Sequence, residues 1–344
     1  MARRSRRINL WIWIFITAFS GGSLTGLLPF DLSSILDGSS ASSDATESAE
    51  LPELGNAAAN EQNPLADQRV LVPNASIDNF SPVDRPLRIA SFNIQVLGQS
   101  KMSKSEVVNA LAVIIRRFDL VAIQEVRSKE SDVLPRLTQA VNAGQRNYSF
   151  LIGPRLGRTV SKEQYAFIFD TERIEYDPGS IGTISDPDDL LHRPPFVARF
   201  RARTREPNRA FSFWLVNTHT DPDEVPQEIN ALADVFRVMQ QNQLDEDDVI
   251  LLGDLNADPN QFGALRSIPA MKWSVEGVPT NTRRTKTYDN LLFSGAYTTE
   301  YTGAWGVFDM EKELGLSLSD ALQVSDHLPV WSEFSQWETA SALQ

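Results

Sequence analysis

Cysteine is absent from all 344 residues, which excludes disulfides, thiolate metal sites and a cysteine nucleophile. Histidine is scarce, with three in the chain, so each one needs a separate reading. Basic charge is in deficit: 32 Lys and Arg against 45 Asp and Glu leave a net charge of -13. A chain of that sign does not win nucleic acid by bulk attraction. If it acts on phosphates, a divalent cation must offset the repulsion locally. No serine stands in a strand-to-helix elbow, so nothing suggests a Ser–His covalent mechanism. No internal repeat is visible.

The charge is unevenly spread. Residues 1–30 hold four arginines and no acid, and residues 31–84 hold ten acids against one base, Arg69. Arg3, Arg4, Arg6 and Arg7 precede an apolar run from Ile8 to Phe30 that includes Trp11, Trp13, Ile14, Phe15 and Ile16. That run reads either as a cleavable signal peptide or as an uncleaved membrane anchor, since about 20 apolar residues span a bilayer. Either reading exports the chain, as a membrane-anchored protein or as a secreted or periplasmic one. A membrane is a partner only if the segment stays. Residues 31–84, rich in Ser, Ala, Asp, Glu, Asn and Pro, cannot bury enough surface to fold and read as a disordered acidic linker. The folded domain is expected over 85–336, with a tail over 337–344.

Within that domain, apolar runs predict strands at 87–93, 120–123, 148–152, 165–169, 196–200, 211–216, 249–252, 288–293 and 330–334. Helical spacing appears from Ser105, with Val108, Leu111, Ile115 and Phe118 on one face. It recurs around Val133–Val141 and from Pro226 to Gln243. Many strands with few helices suggest a two-sheet α/β sandwich flanked by helices.

Polar residues fall repeatedly at the strand ends, where α/β sheets collect ligand groups. Asn93, Glu125, Asn217 with His219, and Asp254 with Asn256 each follow an apolar run. Asp289 and the Ser325-Asp-His327 stretch each precede one. Oxygen donors such as Glu125 and Asn93 suit a hard cation, Mg2+ or Mn2+. Such a cation screens phosphate charge and stabilises charge that develops in a transition state. Asp254 can orient and deprotonate water, and His219 and His327 can donate to phosphoryl oxygens or move protons. A lone histidine is more often structural, and His192, beside Pro194 and Pro195, reads that way. Asp186, Asp188 and Asp189 read as a solvated acidic loop before a calcium site.

The ordered stretches Arg88-Ile-Ala-Ser-Phe-Asn-Ile94, Ile123-Gln-Glu-Val-Arg127, Pro154-Arg-Leu-Gly-Arg158, Lys162-Glu-Gln-Tyr165, Gly253-Asp-Leu-Asn-Ala-Asp258, Tyr288-Asp289 and Ser325-Asp-His-Leu-Pro329 together carry a resemblance. Over residues 86–335 the chain resembles the endonuclease/exonuclease/phosphatase superfamily, and within it the deoxyribonuclease I branch. The resemblance implies a four-layer α/β/β/α sandwich and Mg2+-dependent phosphodiester hydrolysis of DNA, often with Ca2+ assistance, and no obligate protein partner.

Carried over by residue, Asn93 and Glu125 hold the catalytic cation, and Asp326 completes the metal and proton network. His219 paired with Glu163, and His327 paired with Asp289, become the acid/base histidines. Asp254 and Asn256 position water and phosphate. Arg127 reaches the minor groove and Arg193 a backbone phosphate. Ser161 stands where that branch carries a tyrosine on the sugar, which weakens the groove contact. The second family calcium position is lost around Val278, and Arg283, Arg284 and Lys286 offer a basic patch beside Asp289. The alternatives are a phosphatase or phospholipid phosphodiesterase of the same superfamily, or a catalytically inactive binding module.

Overall fold

The computed structural model of the protein describes residues 84–159, 161–242 and 246–339. The expected signal or anchor and nearly all of the expected linker lie outside the described residues. Among the described residues, no helix is long and apolar enough to cross a membrane.

The strands, in chain order, are β1 (Leu87–Leu97), β2 (Leu120–Val126), β3 (Tyr148–Ile152), β4 (Gln164–Asp170), β5 (Ile174–Tyr176), β6 (Gly182–Thr183), β7 (Phe196–Ala202), β8 (Ser212–His219), β9 (Val249–Asp254), β10 (Met271–Trp273), β11 (Asp289–Ser294), β12 (Tyr301–Val307) and β13 (Val330–Phe334). The helices are α1 (Gln99–Met102), α2 (Ser105–Ile115), α3 (Val133–Val141), α4 (Val225–Asn242), α5 (Gly263–Arg266), α6 (Met310–Leu314) and α7 (Leu318–Val324). One sheet runs β12-β13-β1-β2-β4-β3; the other runs β10-β11-β9-β8-β7-β5, with β6 also on β7.

Side chains alternate between the two faces of a strand, so an unbroken apolar run fills two cores at once. In β2, Leu120 and Ala122 enter the core between the sheets, while Val121 and Ile123 enter the core under α2 and α3. In β9, Ile250 and Leu252 face the other sheet, and Val249 and Leu251 pack with Leu232, Phe236 and Met239 of α4. Three apolar layers therefore separate four layers of structure, α/β/β/α. Each fully buried side chain of this kind stabilises the fold by roughly 1.5–3 kcal/mol. The sheet-to-sheet core is heavily aromatic: Phe167, Phe200, Phe211, Phe213 and Phe334 stack or meet edge to face.

Three details differ from the sequence reading. α2 ends at Ile115, and Phe118 is buried in the turn beyond it, while Val107 and Ile114 are buried and Val108 only half so. The edge strands β5, β6, β10 and β12 have no counterpart in the apolar pattern. Packed chain also continues past residue 336: Trp337 bridges Ala210, and the Glu338 N–H donates to the Arg209 carbonyl at 2.9 Å.

Register decides what meets at the sheet ends. β1 and β2 run parallel with Asn93 opposite Gln124, and β8 and β9 run parallel with His219 opposite Asp254. β11 runs antiparallel to β9 and sets Asp289 opposite Asp254.

Candidate active site

Gly253 explains how Asp254 and His219 come to sit side by side. It has φ +153°, and a Cβ built there would lie 1.8 Å from the Thr218 carbonyl oxygen of β8. Only glycine lets the two backbones approach this closely. On β2, the register breaks between Ile123 and Val126, and Glu125 adopts φ +63°. A bulge of this kind re-aims a side chain. Here it turns the carboxylate of Glu125 back towards β1, where it accepts from the Val96 N–H at 2.9 Å.

The centre of the site is Asp254 Oδ2, in a residue 1 % exposed. Asn93 Nδ2 donates to it at 2.9 Å, and the Nε2 atoms of His219 and His327 each stand 3.5 Å away. The Asn256 N–H holds the other oxygen at 3.0 Å. Each histidine is backed by a buried carboxylate: His219 Nδ1 lies 2.7 Å from Glu163 Oε1, and His327 Nδ1 lies 2.9 Å from Asp289 Oδ2. Each imidazole thus has a buried carboxylate at Nδ1 and Asp254 beyond Nε2.

Burial and charge set the protonation states. Burial opposes charge on His327, but the carboxylates of Asp289 and Asp254 outweigh it and raise the imidazole to about 10. Burial likewise opposes charge on His219, and the hydrogen bond and charge of Glu163, with Asp254 beyond, raise it above the ordinary value. Asp254 is pushed up by burial but pulled below the usual carboxylate range by its two imidazole neighbours. Glu163 is held low in the same way, by His219 and by Arg193 and Arg127, against its burial.

The remaining expected site residues surround this centre. Asn93 also donates to Glu125 Oε1 at 3.3 Å, and its side-chain amide oxygen Oδ1 is buried with no hydrogen-bond partner among the described residues. An orphaned carbonyl beside a carboxylate is an all-oxygen donor set, which fits a hard cation. Asp326 stands at the rim, accepting from Gln95 Nε2 at 2.9 Å, with its other oxygen 4.0 Å from His327 Nε2. Arg127 clamps Glu125 at 3.2 Å and Glu163 at 3.1 Å, and donates to the Ser161 hydroxyl at 3.1 Å. Arg193 is 6 % exposed and lies behind the site, its Nε 3.1 Å from Glu163 and 3.2 Å from the His219 carbonyl. The Asn256 amide nitrogen turns to the Thr220 carbonyl at 3.0 Å.

Other expected features lie outside the cluster itself, with the basic patch on the loop that bridges to His327 through Asn281. The Asp186 carboxylate closes its loop by accepting the Leu190 and Leu191 N–H groups at 3.0 and 2.7 Å, and Asp189 pairs with Arg158 at 3.0 Å. Within the basic patch, Arg284 is tied to Asp309 at 2.9 Å and Glu311 at 2.6 Å, while Arg283 and Lys286 are exposed with no ion pair among the described residues. His192 lies 3.4 Å from Asp221, outside the cluster.

Three supporting residues were missed. Thr280 donates to Asp289 Oδ2 at 2.7 Å, and the Asp289 N–H donates back to its hydroxyl at 3.1 Å. The Ser325 hydroxyl donates to the Asn93 carbonyl at 2.7 Å and accepts the His327 N–H at 3.1 Å, tying β1 to the loop before β13. The Tyr165 hydroxyl accepts the His219 N–H at 2.9 Å across the two sheets. Ser325 and Tyr165 stood inside quoted stretches without a role. Thr280, nine residues before its partner on a loop, carried no signal.

The family model described as the Endonuclease/Exonuclease/phosphatase family matches residues 90–327. Deoxyribonuclease-1-like 1 of Mus musculus is 35 % identical over 260 residues, covering 72 % of this chain and 80 % of its own. Deoxyribonuclease-1 of Gallus gallus is 33 % identical over 265 residues, covering 71 % of this chain and 90 % of its own. Among solved structures, truncated Caenorhabditis elegans TDP2 superposes with a TM-score of 0.51 at 15 % identity, covering 73 % of this chain and 98 % of that one, a likeness of fold.

Proposed function

The chain belongs to the Endonuclease/Exonuclease/phosphatase family, and from that premise we propose that it is a metal-dependent, deoxyribonuclease I-like endonuclease that hydrolyses DNA phosphodiesters. The carrying observation is the pair of carboxylate-backed histidines, each 3.5 Å from one oxygen of Asp254. The sequence relatives, named as deoxyribonucleases, support DNA as the substrate.

In this reading Asn93 Oδ1 and Glu125 hold Mg2+ or Mn2+, with Asp326 at the rim, and Ca2+ is a further candidate. Bound there, the cation supplies charge screening and polarisation of a phosphoryl oxygen. The chain does the rest. Asp254, too weak a base to hold a proton, orients the attacking water and both imidazoles. His219, backed by Glu163, takes the water proton once it is itself neutral. His327, held charged by Asp289 and Asp254, gives its proton to the leaving oxygen as the phosphorus–oxygen bond breaks. Arg127 aligns Glu125 with Glu163 and reaches the groove. Arg193, buried behind the site, holds Glu163 and the His219 carbonyl in place. Asn256 helps place water and phosphate. The arginine-flanked apolar segment near the N-terminus supports export, anchored or released.

The test is supercoiled-plasmid nicking by the full chain with Mg2+ or Mn2+, alongside single-stranded DNA, RNA, inositol phosphates and sphingomyelin. Nicking is expected, with loss of about 10²–10⁴-fold in His219→Ala and His327→Ala, measured at a temperature where circular dichroism shows both variants folded. Variants that nick as fast as the parent would overturn the roles. Turnover of the lipid or the monoester, with DNA untouched, would overturn the substrate.

A further inference from the structure

The opposite end of the second sheet carries a second crowd of acids that the proposed catalysis does not use. Asp248 immediately precedes β9 and Asp254 ends it, so the two lie roughly 20 Å apart along one extended strand. Oxygens of Asp248, Glu300 and Glu338 all lie within 4.8 Å of one another. Asp248 is 5 % and Glu300 2 % exposed. Neither has an ion pair to Lys or Arg among the described residues. Two buried carboxylate oxygens, Asp248 Oδ1 and Glu300 Oε2, lack a hydrogen-bond partner of good geometry among the described residues, and the Thr298 hydroxyl lies against Asp248. A buried carboxylate oxygen left unmatched costs free energy, and two adjacent ones cost more through repulsion.

We propose that Asp248, Glu300 and Glu338, with the Thr298 hydroxyl, hold a hard divalent cation that fastens the C-terminal segment to the second sheet. The donors are all oxygen, the set that hard cations take and soft ones do not. The geometry links three separate pieces of chain. Asp248 opens β9 and Glu300 opens β12. Glu338 sits on the terminal segment, accepting the Ser212 N–H of β8 at 2.8 Å. The second oxygen of Glu300 is already occupied, taking the Thr339 N–H at 2.7 Å and hydroxyl at 2.8 Å, so Oε2 alone is left to turn inward. Glu338 is exposed and lines a cavity of about 480 Å³ with Arg199, Ser212 and Glu175. Glu338 is thus the member of the cluster that meets solvent.

The test uses the full chain and three metals, Ca2+, Mg2+ and Mn2+, read by calorimetry and thermal melting. Tb3+ luminescence sensitised by Trp337, the neighbour of Glu338, and by Trp214, whose N–H donates to the Asp248 carbonyl, gives an independent reading. The parent is expected to bind one equivalent more than Asp248→Asn or Glu300→Gln, and to melt at least about 3 °C higher in a hundredfold excess of metal over Kd. The variants are expected to lose both effects and the Tb3+ signal while keeping nicking activity. The amides are isosteric and neutral, so folding without metal should match the parent. Should either fail to fold, the exposed Glu338→Gln carries the same test. Equal stoichiometry and equal melting shifts in parent and variants would overturn the site. So would a parent whose melting none of the three metals moves, because the cluster would then store protons only.

Discussion

His219 and His327 look alike in their surroundings, yet the proposal gives them opposite jobs, and their carboxylates make the difference testable. Glu163 stabilises the charged form of His219 by a 2.7 Å hydrogen bond, and a general base must be neutral. Replacing Glu163 with Gln therefore lowers the His219 pKa, and the acid limb of the pH–rate profile for nicking should move to lower pH. Overall activity should also fall, because the ring loses its orienter. An acid limb that stays put would assign the base elsewhere. His327 gives a second measurement. Its folded pKa, about 10, lies above the ordinary 6.5. Its contribution to stability is thus complete below about pH 6.5 and is lost as pH rises through about 10. In metal-free protein, the melting difference between parent and His327→Gln should shrink steadily from pH 7 to pH 10. Ring proton resonances should remain those of imidazolium over most of that interval.

At the scale of the element, β9 does two things at once: it fills two cores with 249–252 and delivers Asp254 beside His219. Gly253 is the joint between those tasks. A methyl group there meets the β8 backbone at 1.8 Å, and backbone cannot rotate aside. Gly253→Ala should destabilise the fold by about 2–4 kcal/mol and reduce nicking in whatever protein remains folded. A melting point within about a degree of the parent would refute the close approach. Central strands such as β9 were legible because burial on both faces demands an unbroken apolar run, and a polar residue ending that run stands out. β12 was not legible: Gly303 and Gly306 interrupt it and most of its side chains are half-buried or exposed, as an edge strand permits. The short edges β5, β6 and β10 fail for the same reason. For the site, the strand-end groups Asn93, Glu125, His219, Asp254, Asp289 and His327 were readable residue by residue. Glu163 came from resemblance alone. Thr280 could not be read, since its link to Asp289 depends on a loop fold that no periodicity encodes.

At the scale of the whole molecule the difficulty is charge. A chain of net charge -13 must approach a polyanion, and few of its basic groups are free to meet phosphate. Arg284 is committed to Asp309 and Glu311, and Arg193 is buried against Glu163. Near the site, Arg127, Arg283 and Lys286 are among the cations that remain, the first already shared between Glu125 and Glu163. Each phosphate neutralised contributes about -0.9 to the slope of log affinity against log salt, so two or three contacts give a slope of about -2 to -3. Binding of a short duplex by His219→Ala, which keeps the substrate uncut, should follow that shallow slope. It should weaken sharply when a chelator removes the divalent cation, because the cation at Asn93 and Glu125 then no longer offsets the acidic rim. The slope and the chelator response are independent, and each can fail alone. A slope steeper than about -5 would mean a basic surface beyond these three residues. Affinity untouched by chelator would mean that the acidic shell is not screened by metal at all, which would remove the physical basis for a phosphodiesterase on this surface.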